Sequence, residues 1–162
     1  MSMTHYMELL ATNQPWNLLI FMAGPVVLAE TLAITELYLL FTRRMDGAVR
    51  SLNRAAGILV GLYFAGIILY LVPAAVMPIT RAGEWRTFID VIAVGAYIVA
   101  GLPLIWIALQ EFSIVGANDA PMEKLRVHAT CVAAFLVFGH VAMIFGMLDP
   151  AIFGSAAPMH MH

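Results

Sequence analysis

The segment HVAMIFGM, His140 to Met147, sets a histidine three residues before one methionine and seven before another. On a helix these steps return to one face, so His140, Met143 and Met147 form a stripe of one imidazole and two thioethers. Thioether and imidazole together suit Cu(I) or a haem iron. Met22, Met77 and Glu30 fall at a similar depth in other apolar stretches, and the chain ends in PMHMH, which adds His160 and His162. A short tract alternating Met and His is of the kind that captures copper-like ions. These eight residues, with Asp90 nearby, make up one expected cluster. His128, Glu36 and Glu111 make up a second, at the other end of the same stretches.

Each signal has a plainer reading. Methionines in apolar helices usually fill gaps, and His128, just after Arg126, sits where a carboxylate contact to Glu36 or Glu111 would satisfy it. Carboxylates inside a bilayer are different: a charged group at a helix centre costs about 2.5 to 3.5 kcal/mol on insertion scales, so Glu30 and Glu36 each require a partner or a purpose.

The elements that must position these residues follow from composition. The chain has 162 residues, 62% hydrophobic and 11% charged, against roughly 25% charged in soluble domains. Its mean hydropathy is +0.90. Apolar runs long enough to cross a bilayer, which takes about 20 residues, occur four times, over 16–42, 55–78, 87–111 and 127–148. Unbroken runs lack the alternation of a barrel strand. The sequence therefore predicts an all-α integral membrane protein, a four-transmembrane-helix bundle forming one polytopic domain over 1–162. The first fifteen residues hold no Lys or Arg, so they lack the basic start of a secretory signal and the first run is expected to be retained.

Linkers orient the bundle. Arg43, Arg44, Arg50 and Arg54 follow the first run, and Lys124 and Arg126 precede the fourth, against Arg81 and Arg86 alone between the second and third. Six basic residues against two place both termini outside, N-out and C-out. In a bacterium this is the inner, or plasma, membrane with the termini in the periplasm.

Within the spans, Glu30 and Glu36 lie about 240° apart and cannot share a face. Met22, Pro25, Ala29 and Glu36 roughly do share one, and Pro25 leaves the carbonyl of Phe21 without its helical donor. Pro73 does the same to Leu69. Tyr63, Gly66, Tyr70, Pro73 and Met77 line one face of the second run.

Several functions are excluded or left without support. The net charge of -2 with no basic stripe argues against nucleic acid. A lone Cys131 forbids an internal disulfide or a Cys-pair metal site. No P-loop, Gly-rich nucleotide loop, Ser-His-Asp set or HExxH run occurs, so a conventional enzyme site has no support. Three readings stay open. The first is a soft transition metal, copper foremost, bound at the outer Met/His/carboxylate cluster for transport or delivery, as by a permease. The second is a small cytochrome holding haem b. Its weakness is that both in-span histidines, His128 and His140, belong to one helix, so the haem would need His140 with Met22 or Met77 as the second axial ligand, or ligation across a dimer. The third is a non-catalytic accessory or assembly subunit. Expected partners are membrane lipid and either a second copy of the chain or another membrane subunit.

Overall fold

A computed structural model describes residues 3–149. Among them every regular element is helical: α1 (His5–Ala11), α2 (Trp16–Thr42), α3 (Ala48–Ala82), α4 (Phe88–Glu111) and α5 (Pro121–Met147). The last four are each long and apolar enough to cross a membrane. Of the expected cluster, His160 and His162 lie outside the described residues.

Local chemistry sets the ends. The α2 start uses the carbonyl of Asn13, which accepts from Trp16 N at 3.0 Å, rather than a side-chain cap. It stops where Arg43 adopts a left-handed conformation, and α3 stops at Gly83, whose φ of +68° costs a glycine little. Pro121 opens α5 at a position where no helical N–H is required. Both α3 and α5 begin six or seven residues before the apolar runs that mark them, at Ala48 and Pro121. Hydropathy reports where hydrocarbon begins; the backbone coils on through the charged turns carrying Arg50, Arg54, Lys124 and Arg126.

Two π-helical turns interrupt the spans, Leu19–Ala23 in α2, which ends two residues before Pro25, and Val72–Val76 in α3, which contains Pro73. Pro25 and Pro73 remove donors from the ladder, and a π turn is one way the chain absorbs that loss. The freed carbonyls of α2 find tyrosines: Tyr97 Oη donates to Phe21 O at 2.7 Å, and Tyr63 Oη to Ile20 O at 3.0 Å. The carbonyl expected to lose its donor is thus bonded across the bundle from α4.

Sequential helices are spatial neighbours, with α4 packed on both α3 and α5 and α2 closing the ring against α3 and α5. The core contains Leu32 from α2, Val60, Phe64 and Ile67 from α3, Ala93, Leu104 and Ile107 from α4, and Val132 and Phe135 from α5. Small residues bring backbones together. A Cβ on Gly61 would stand 2.6 Å from the carbonyl oxygen of Leu104 and 2.4 Å from Ala108 Cβ, so α3 and α4 touch at their main chains.

The short α1 lies against one end of this bundle. Tyr6 and Leu10 are buried, and Thr4 both caps the helix and donates to Gly146 O at 2.7 Å. His5 contacts Asp90 twice, through its backbone N–H to Oδ1 at 2.7 Å and through its ring Nδ1 to Oδ2. Arg86 adds bonds to Glu8 and to the Met3 carbonyl.

Candidate functional sites at the two ends of the bundle

The π turn and Pro25 in α2 leave space against α5, and a cavity of about 210 Å³ opens there. Met22 and Glu30 line it from α2, His140 and Met143 from α5, Phe64 and Tyr97 from the core, and Tyr6 from α1. Its surface is predominantly apolar, with Glu30 and His140 as its acid and base and the phenols of Tyr6 and Tyr97 beside them. Glu30 and His140 are solvent- or lipid-facing, so the cavity is open sideways between α2 and α5. Burial holds the Tyr6 phenol above its usual range, which keeps a neutral hydroxyl at this wall.

One contact fixes the chemistry of His140. Its Nδ1 lies 2.6 Å from the carbonyl oxygen of Leu136, one turn back on α5. A carbonyl can only accept, so Nδ1 carries the hydrogen, and in its neutral form the ring presents its lone pair on Nε2. Metal-binding histidines characteristically have their second nitrogen held in this way.

Of the expected outer cluster, Met22, Glu30, His140 and Met143 come together. Met147 and Met77 do not line the cavity. Met147 is 71% exposed, because the last turn of α5 turns Gly146 onto Tyr6. Met77 is 45% exposed on a face shared with Tyr70, since α3 directs Phe64, Ile67 and Leu71 inward instead. Asp90 is fully buried and held by His5. Among the described residues no three His, Cys, Asp or Glu side chains are grouped to hold a metal ion. Any ion held in the outer cavity would need sulfur from Met22 and Met143.

The second cluster assembles completely. His128 of α5 and Glu36 of α2 are 1% and 2% exposed, with Nδ1 and Oε1 3.5 Å apart. The same Nδ1 is 3.8 Å from Glu111 Oε1 of α4. Glu111 pairs with Arg50 at 3.1 Å and Arg54 at 3.5 Å, both from the first charged turns of α3. Arg50 also donates to Asn53 Oδ1 at 2.9 Å, and Asn53 donates to Thr35 Oγ1 at 3.0 Å. Sequence reasoning named His128, Glu36 and Glu111 and missed Arg50, Arg54, Asn53 and Thr35 as their partners. The signal was present: Arg50 and Asn53 are three apart, a spacing that puts them on one helical face once α3 is known to begin at Ala48.

The fold and its two polar clusters define an all-helical membrane protein with four spanning helices. The chain belongs to the family of unknown function DUF6803, which it matches over residues 1–162. No curated protein and no solved structure matches it.

Proposed function

We propose that this protein binds a soft transition metal ion, Cu(I) foremost, in the cavity between α2 and α5, and moves or delivers it as cargo. The observation that carries the reading is the fixed tautomer of His140, which leaves Nε2 as a lone-pair donor on a cavity also lined by two thioethers and one carboxylate. Sulfur and imidazole select soft or borderline ions, while hard cations want oxygen-rich cages. Glu30 offsets the charge of a cation entering an apolar wall. In this reading the basic linkers face the cytoplasm, both termini lie outside, and the cavity sits in the outer half of a bacterial plasma membrane. The tail MHMH then stands on the side from which the ion arrives.

The selectivity of the thioethers is the test. Titrating full-length protein with Cu(I) against a competing chelator should give stoichiometric binding that falls at least about tenfold in Met22→Leu/Met143→Leu. Binding of Zn(II) should be weak in both. Equal Cu(I) affinity in a folded double variant would rule the cavity out as the site.

A further inference from the structure

The inner cluster holds groups that packing alone does not explain. Both oxygens of Glu36 and both ring nitrogens of His128 are buried without a hydrogen-bond partner among the described residues, while Oε1 of Glu111 lies in its ion pair with Arg50. Buried polar atoms are nearly always bonded, and a buried charge left unbonded costs several kcal/mol. Here His128 Nδ1 stands 3.5 Å from Glu36 Oε1 and 3.8 Å from Glu111 Oε1, at and just beyond the limit of a made hydrogen bond.

We infer that Glu36, His128 and Glu111 form a proton relay at the inner end of the bundle, in which His128 Nδ1 passes a proton between Glu111 and the buried Glu36. The geometry is that of one nitrogen between two carboxylate oxygens. A hydrogen on Nδ1 can bond to only one of them at a time, and a small rotation of the ring exchanges its partner.

The step balances without any other reactant. Starting from the imidazolium and the Glu36 carboxylate, the Nδ1–H bond breaks as an O–H bond forms on Glu36, leaving a neutral Nε2–H ring with a lone pair on Nδ1. A protonated Glu111 then gives its hydrogen to Nδ1 and becomes a carboxylate. The net result is one proton moved from Glu111 to Glu36, with His128 returned to its starting state.

The surroundings give the relay a direction. Arg54 is 61% exposed and touches Glu111, so the chain of groups begins at the surface and ends at Glu36, which is 2% exposed. Arg50 and Arg54 from α3 are the cations facing Glu111, and they pair with the carboxylate that it becomes once its proton has passed to Nδ1. Around Glu36 the remaining groups are neutral, Asn53 from α3 and Thr35 from α2, with Cys131 one turn along α5 from His128. Histidine suits the middle position because it both gives and takes a proton near neutral pH. This assignment stands apart from the metal reading: it uses other residues and requires no ion.

The test is infrared difference spectroscopy after an acid jump on full-length protein in lipid nanodiscs, with folding checked by circular dichroism. Wild type should develop a carboxylic-acid C=O band that Glu36→Gln removes. His128→Gln and Glu111→Gln should keep that band at equilibrium but slow its appearance by at least about tenfold. A purely structural cluster would not separate rate from amplitude in this way. A band persisting in Glu36→Gln, its absence from folded wild type, or an unchanged rate in His128→Gln would overturn the relay. Should Glu36→Gln fail to fold, Glu36→Asp must shift the band, and an unshifted band overturns the assignment equally.

Discussion

His140 Nδ1 is bonded to the carbonyl oxygen of Leu136 at 2.6 Å, and this one contact orients the ring and leaves Nε2 as its free nitrogen when the ring is neutral. The ring cannot rotate to present Nδ1 to the cavity without breaking that bond. In the proposed reading Nε2 of the neutral ring is therefore the atom that meets the ion.

The first prediction concerns the neighbouring sulfur. Met143→Leu conserves volume, so stability should change by less than about 1.5 kcal/mol while Cu(I) affinity falls. Thermal unfolding and chelator competition on the same sample separate the two effects. Matching losses in both would mean that Met143 is packing.

A second prediction addresses the contact of α3 with α4. Gly61→Ala places a methyl 2.6 Å from Leu104 O and 2.4 Å from Ala108 Cβ, so it should destabilise by about 1 to 3 kcal/mol. Gly66→Ala and Gly95→Ala meet nothing within 4 Å and serve as controls. Unfolding in a denaturing detergent series checks the order.

The third prediction tests the attachment of α1. Asp90→Asn leaves His5 facing an amide in place of a carboxylate, removing a charge-assisted bond at a fully buried position. Amide exchange over residues 5–11 should accelerate, with opening made easier by about 1.5 to 3 kcal/mol, while exchange in α4 stays slow. Unchanged protection of α1 would show that Tyr6 and Leu10 hold it alone.

A fourth prediction rests on the sequence tail. Deleting Met159 to His162 should weaken ion uptake at limiting metal and leave saturated behaviour unaltered, because a capture tract raises local concentration without forming the site. An identical dose response would remove the tail from the account.

How far the fold was legible can be seen in particular residues. Pro25 announced a carbonyl at Phe21 in need of a donor, and Tyr97 supplies it, because the loss follows from proline chemistry alone. His128, Glu36 and Glu111 were grouped correctly because charges in apolar runs are few and seek one another. Met77 and Met147 share depth with the cavity but not direction, and hydropathy carries no information on which way a uniformly apolar helix is turned. Tyr6 was missed at the cavity wall for a different reason. Its segment is short and mixed, and it is fixed there by contacts distant in sequence, from Thr4 and His5 to α5 and α4 and from Arg86 to Glu8 and Met3.

The central claim is best tested by an absorption spectrum and an elemental analysis on one sample, purified in detergent after expression without an added His tag. The account predicts copper without a haem band in wild type, with retention lost in His140→Ala far beyond any loss of folded protein. A Soret band accompanied by iron would contradict it, and so would metal retained undiminished by folded His140→Ala.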